Sequence, residues 1–258
     1  MCEPLDAGGR YLASKATGNP RRHVSAKRSY VPDPYSQTVM NVIGHRGCAK
    51  EFPENTLAAV RGCAPHVDMV EIDVRRCGSG ELVVFHDSHL DRLTDASGVV
   101  SQFEYQELSR LTIGDSTEPI PKLADVCDYL PSGLGLNIEL KETGLHEAVL
   151  DILSSHSHEV LISAFDPAAL APFRDADVST AFLCADSVEE GVETALELGC
   201  ESLHPRYTVI DEEAIQRAQQ KGLSVNAWTV PTEPEVHRLQ SMGADGVIVD
   251  SWKLTTGS

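Results

Sequence analysis

From residue 41 onward, short β-rich apolar runs alternate with stretches in which apolar residues recur at helical spacing. The runs predict strands at 41–45 (NVIGH), 69–75 (MVEIDVR), 82–86 (LVVFH), 135–140 (GLNIEL), 160–165 (VLISAF), 179–183 (STAFL), 200–204 (CESLH), 223–228 (LSVNAW) and 246–249 (GVIV). Between them the pattern predicts helices near 55–64, 122–130, 145–155, 167–173, 187–198, 211–221 and 232–242. Several connections carry the glycine that ends a helix before the next strand, as in ELGC, QKGLSV and MGADGVIV. Such alternation points to a parallel α/β barrel or a doubly wound sheet. One stretch interrupts it. Residues 87–121 lie between two strands with turn signals at both ends and are too long for an ordinary barrel loop, so they read as a small insertion over one end of the barrel.

Residues 1–39 show neither period and are rich in Gly, Pro, Ser and Arg, which predicts a disordered basic extension ahead of one folded unit at 40–258. The extension holds six basic and three acidic side chains; the rest holds 15 basic and 36 acidic, a formal charge of −21. That surplus argues against nucleic acid as a partner, because a phosphate backbone binds basic surfaces. With only seven lysines against fourteen arginines, it also suggests a halophilic protein whose stability and activity rise from ~0.1 M to ~1 M KCl as surface carboxylates are screened from one another. Plain solubility is the competing account. No segment approaches the ~20 apolar residues of a membrane helix, and no secretory h-region is present, so no stable membrane insertion is expected. The seven cysteines include no C-x-x-C pair, which suggests neither a disulfide framework nor a zinc ribbon and favours reduced thiols in a cytoplasmic protein.

Candidate chemistry comes from polar residues inside the strands. Side chains alternate along a strand, so Glu71, Asp73 and Arg75 share one face of MVEIDVR, and Asn137, Glu139 and Lys141 share one face of LNIELK. In a barrel the outer face is covered by helices, and these residues must point inward. One such acid would be read as an ion-pair partner, Glu71 with Arg75 or Glu139 with Lys141. Three acids converging from two strands are better explained by a bound cation with all-oxygen ligands, Mg²⁺ or Ca²⁺. His45 ends NVIGH and His86 ends LVVFH, at the carboxyl ends where barrels build their sites. His204 stands on the same rim as a weaker candidate. His156 and His158 fall on the opposite rim, and His66, His89 and His237 on loop or helix surface, where a solvated histidine is the simpler account.

With His-Arg-Gly, Glu-Asn-Thr, Glu-x-Asp, His-Asp and Asn-x-Glu-x-Lys in this order, the chain resembles the glycerophosphodiester phosphodiesterase family. The resemblance runs from about residue 41 to 254 and includes IGHRG, PENT, EIDV, VVFHD, LTDASG, IPKLADV, NIELK, SAFDPAAL, AWTV and GADGVIVD. It implies a (β/α)8 TIM barrel with a small insertion after the His-Asp strand, which fits residues 87–121. It further implies His45 and His86 as the acid-base pair; we assign His45 as base and His86 as acid, with the reverse as the competing account. Glu71, Asp73 and Glu139 become ligands of one divalent cation, and Arg46 and Lys141 the groups that neutralise a phosphate. Trp228 becomes a wall for the glycerol, with a core aromatic as the competing account. Glu54 is an outer-shell candidate near the cation, against a competing role at the start of the helix, where an acid suits the dipole. The implied activity is hydrolysis of a small glycerophosphodiester to a glycerol phosphate and an alcohol, with attack by the substrate's own hydroxyl or by water left open. Two other readings compete: a lipid-directed enzyme of phospholipase C-like or sphingomyelinase D-like type, and a non-catalytic phosphate-binding module.

Overall fold

The computed structural model describes residues 40–256. The expected extension at 1–39 lies outside the described residues. Nine strands form one sheet: β1 (Asn41–Gly44), β2 (Met69–Arg76), β3 (Leu82–Val84), β4 (Gly135–Leu140), β5 (Val160–Ala164), β6 (Ser179–Cys184), β7 (Ser202–Pro205), β8 (Ser224–Val230) and β9 (Gly246–Val249). All except β3 are parallel neighbours in the order β1-β9-β8-β7-β6-β5-β4-β2, and β1 pairs again with β2 at Ile43↔Met69 and Gly44↔Val70. The sheet therefore closes into the eight-stranded (β/α)8 barrel that the alternation predicts.

The 82–86 strand is a correction. It forms, but as β3, which lies antiparallel on the end of β2 with Val74 opposite Val84 and Arg76 opposite Leu82. The connection through Cys77–Glu81 is far too short for a parallel crossover, which needs about a dozen residues or more, and long enough for a hairpin. His86 thus reaches the rim on a returning hairpin arm, not on a barrel strand. The hairpin also opens the insertion, which has its own apolar cluster of Val83, Phe85, Leu90, Val100, Leu108 and Ile120. A short helix, α2 (Tyr105–Leu108), lies within it.

The outer layer comprises α1 (Leu57–Cys63), α3 (Leu123–Tyr129), α4 (His146–Leu153), α5 (Pro167–Leu170), α6 (Val188–Leu198), α7 (Glu212–Gln220) and α8 (Glu233–Ser241). Thr56, Ser187 and Asp211 cap α1, α6 and α7 by accepting from the third helical amide, and Gly199 closes α6 in the left-handed conformation. Val70, Ile72 and Val74 of β2 and Leu136, Ile138 and Leu140 of β4 are buried in the main core, the apolar counterpart of the polar face that points into the barrel. No helix of the described residues is long and apolar enough to cross a membrane. Reduced thiols throughout are a second correction: Cys48 and Cys63 are joined as a disulfide, tying the loop after β1 to α1. They lie fifteen positions apart in the chain, and the docking of α1 against that loop brings them together. Cys77, Cys127, Cys184 and Cys200 are free and buried.

Candidate active site

β1 ends at Gly44, and the chain turns sharply through His45–Gly47. Arg46, Gly47 and Cys48 have φ of 51°, 75° and 65°, a left-handed run that non-glycine residues adopt only where the surroundings enforce it. At Gly47 a Cβ would fall 2.6 Å from that of Ala59. The turn is closed by the amides of Cys48 and Ala49 donating to the His45 carbonyl at 2.8 and 3.2 Å. It aims the Arg46 amide at Glu71 Oε2, 2.8 Å away. The Arg46 guanidinium meanwhile reaches Glu54 Oε1 at 2.9 Å and Asp73 Oδ2 at 3.2 Å. Asn55, also left-handed with φ of 60°, is buried. Its side chain donates to Asp73 Oδ2 at 2.8 Å and accepts from the Asp73 amide at 3.1 Å.

Register sets the carboxylates. Glu71 lies opposite Asn137, and Asp73 opposite Glu139. Glu71, Asp73 and Glu139 are all buried, with one oxygen of each within 4.8 Å of the others. Burial, with Asp73 and Glu139 adding repulsion, pushes the Glu71 carboxyl up to about 8. Glu139 is raised by burial and by Asp73. At Asp73 burial is outweighed by Lys141 and Arg46, which hold it below its usual range. Lys141 Nζ lies 3.0 Å from Asp73 Oδ1 and contacts Glu139 Oε1. Glu71 Oε1 is buried and has no hydrogen-bond partner. A buried, oxygen-only donor set with one unpartnered oxygen, in which Glu71 and Glu139 are raised and Asp73 is held ionised by Lys141 and Arg46, fits a hard divalent cation.

His45 Nδ1 lies 2.7 Å from Asp250 Oδ1, and its Nε2 lies 4.0 Å from Glu71 Oε2. His86 Nδ1 lies 2.6 Å from Asp87 Oδ1. An ionised carboxylate can only accept, so each Nδ1 carries the proton and each Nε2 is the free edge. Burial works against the His45 proton, but Asp250 and Glu71 together outweigh it and raise the imidazole's pKa. Burial prevails at His86 and lowers it. Asp87 is held at about 2, chiefly by Arg92.

A cavity of about 130 Å³ opens between these groups. It is lined by His45, Arg46, His86 and Lys141 together with Phe165, which directly follows β5, and Trp228 of β8. Phe165 and Trp228 meet edge to face at 5.2 Å, and the indole Nε1 donates to the His204 carbonyl at 2.7 Å.

Residues 45–254 match the glycerophosphoryl diester phosphodiesterase family. The chain belongs to this family. A glycerophosphodiester phosphodiesterase of Caldanaerobacter subterraneus subsp. tengcongensis is 31% identical over 226 residues, 81% of this chain and 93% of that protein. Among solved structures, an Oleispira antarctica phosphodiesterase in complex with the product sn-glycerol-3-phosphate is 30% identical with a TM-score of 0.79, covering 84% of this chain and 95% of that one. The Thermotoga maritima glycerophosphodiester phosphodiesterase is 28% identical with a TM-score of 0.74, covering 84% and 96%.

In this family member, the residues singled out in the sequence meet at one end of the barrel, with three adjustments. Arg75 does not pair with Glu71; its Nε donates to the His86 carbonyl at 2.8 Å and its Nη1 lies 3.7 Å from Glu142. Glu54 precedes the Thr56 cap and is absent from the first turn of α1; it bridges Arg46 and Arg92 instead. His204 is buried beneath the site, its Nε2 3.1 Å from Asn226 Nδ2, and does not line the cavity. Sequence reasoning passed over Asn55, Asp87, Arg92, Phe165 and Asp250. Asp250 had a usable signal, since it directly follows β9 at the same rim as His45.

Proposed function

We propose that this member of the family hydrolyses small glycerophosphodiesters to a glycerol phosphate and a free alcohol, with a divalent cation held by Glu71, Asp73 and Glu139 and proton transfer by His45 and His86. One observation carries the reading: a cluster of three buried carboxylates, one with an unpartnered oxygen, of which Glu71 and Glu139 line a cavity together with two imidazoles, His45 and His86. The product complex of the Oleispira antarctica neighbour supports the substrate class.

In-line attack on a phosphodiester adds negative charge to its non-bridging oxygens. Arg46 and Lys141 face the cavity and supply fixed positive charge where that charge grows. When bound, the cation would add Lewis-acid polarisation of a phosphoryl oxygen and offset the carboxylate charge beside His45. His45, its ring fixed by Asp250 and its Nε2 turned toward the cavity side of Glu71, is the base. His86, its ring fixed by Asp87, acts as the acid in its imidazolium form, giving the Nε2 proton to the departing alkoxide while Nδ1–H stays on Asp87. Phe165 and Trp228 form an apolar wall that fits the glycerol carbons.

The test is release of glycerol phosphate from a panel of deacylated phospholipids and a lysophospholipid, with and without EDTA. It is run beside calorimetric titration of Mg²⁺ and Ca²⁺ into wild type, Glu71→Gln and Asp73→Asn. Expected are EDTA-sensitive turnover of the deacylated substrates and loss of cation binding in both variants. Wild-type rates in excess EDTA would sink the cation; turnover of the lysophospholipid alone would move the substrate to the lipid class.

A further inference from the structure

One side chain of the insertion enters the site from outside the barrel. Arg92 is 46% exposed, yet its guanidinium makes four hydrogen bonds to two carboxylates. Nε and Nη2 donate to Asp87 at 2.5 and 3.2 Å, and Nη1 and Nη2 to Glu54 at 3.0 and 2.8 Å. Both carboxylates have second partners inside the site. Asp87 Oδ1 receives the His86 Nδ1 proton, and Glu54 Oε1 receives Arg46 Nη1. A continuous chain, His86, Asp87, Arg92, Glu54, Arg46, therefore joins the hairpin arm to the left-handed turn after β1.

A single exposed ion pair contributes little. A planar guanidinium engaged by two carboxylates at once is different, because its five donors fix the angle between its partners as well as their distance. We propose that Arg92 is a positioning residue for both ends of the site. It holds Asp87 where it orients His86 and Glu54 where it orients Arg46, and in this way the insertion sets the placement of a proton donor relative to a phosphate-binding group. The proposal rests on the roles given above to His86 and Arg46. Loss of the guanidinium lets Asp87 swing toward water and leaves His86 free to rotate, which acts on kcat. It also releases Glu54 from one side of Arg46, which acts on KM.

Arg92→Met and Arg92→Lys are compared with wild type in steady-state hydrolysis of the substrate that wild type prefers, alone and combined with Asp87→Asn or Glu54→Gln. Thermal unfolding is followed in parallel. Arg92→Met is expected to lower kcat by about 10- to 100-fold, the usual cost of losing a group that orients a site residue, with partial recovery in Arg92→Lys. In the Asp87→Asn background the same substitution should change kcat by no more than about 2-fold, since residues acting through one another do not add. Losses that multiply unchanged in both backgrounds, or unchanged kcat and KM in Arg92→Met, overturn the proposal. Nitrogen-15 NMR of the His86 ring, assigned with His86→Gln, gives a reading that needs no turnover. The Nδ1-protonated form should dominate in wild type and give way to mixed tautomers in Arg92→Met, and an unaltered ring spectrum overturns the positioning role. Failure of wild type to hydrolyse any substrate would count against the proposed activity, while the ring spectrum would still decide the role of Arg92. If Arg92→Met does not fold, Arg92→Lys is read by the same two measurements.

Discussion

His45 and His86 each give Nδ1 to an aspartate, at 2.7 and 2.6 Å, yet the two imidazoles are held by different kinds of structure. His45 stands on the barrel. Its loop is fixed by the left-handed run at Arg46–Cys48, by the Cys48–Cys63 disulfide and by the segment after β9. That segment supplies Asp250 to the ring, its carbonyl to the Lys50 amide at 3.0 Å, and Ser251 and Lys253 to Glu51, both at 2.6 Å. His86 hangs from a hairpin, is the more exposed of the two side chains at 32% against 19%, and depends on the Asp87–Arg92 ion pair. Backbone and a disulfide reinforce the polar contacts of one half, whereas the other rests chiefly on polar side chains. Perturbations should therefore separate them.

The largest separation is chemical. His45→Ala and His86→Ala should each slow hydrolysis of an alkyl glycerophosphodiester by at least ~100-fold, the low end for removing a general acid or base. With a p-nitrophenyl leaving group, which departs without a proton, His86→Ala should regain most of its rate and His45→Ala should not. Recovery of His45→Ala instead would exchange the two roles.

Next come the aspartates. Asp250→Asn and Asp87→Asn keep the shape but remove the charge that holds each ring, and each should lower kcat by about 10- to 100-fold. The loss should be greater for Asp250, because the more buried His45 has less water to replace its partner. Equal losses would show that burial does not distinguish the halves.

A third histidine sharpens the comparison by lacking an aspartate. Burial alone pushes His204 down to about 3 from 6.5. The folded-state pKa is the lower one, so below 6.5 the unfolded chain takes up a proton that the folded chain refuses, and stability is lost as pH falls from about 6.5 toward 3. His204→Gln keeps a partner for Asn226 and removes that linkage. Its melting temperature should fall less than that of wild type between pH 7 and pH 4.5, with kcat at pH 7 close to wild type. A parallel fall in both proteins would assign the acid sensitivity elsewhere.

The same contrast governs what could be read from the sequence. The barrel was legible because each strand and helix advertises its own period; 135–140 and 246–249 coincide with β4 and β9. The three acids were legible because alternation is strict inside a strand, but alternation does not name partners, and Arg75 meets the His86 carbonyl and Glu142 instead of Glu71. The place of 82–86 was misread because apolar content marks a strand without marking its neighbour; the short connection at 77–81 held that information. The residues passed over act at a distance. Asp250 lies 205 positions from His45, and Arg92 lies 38 from Glu54, separations at which no local pattern links partners. Asn55 acts through a left-handed backbone that its residue type permits but does not announce.

The smallest expected effect sets the two halves against the whole molecule. From residue 40 onward, 36 acidic side chains face 15 basic ones, so most surface carboxylates have no partner and repel one another. At ~0.1 M salt the Debye length is about 10 Å and neighbouring charges interact; at ~1 M it is about 3 Å and they largely do not. Screening should relieve that self-repulsion and raise the melting temperature across a KCl series. It should also weaken the half-exposed Arg92 ion pairs, through which Asp87 is held against His86. The disulfide and the left-handed turn around His45 are indifferent to salt. Wild type should accordingly gain thermal stability from ~0.1 M to ~1 M KCl while the ratio of its kcat to that of Arg92→Met narrows. Circular dichroism melts and steady-state rates over the same series measure both. A melting temperature that is flat or falls would reduce the acidity to a solubility feature, and a ratio that stays constant would show that the clamp is sheltered from bulk ions despite its exposure.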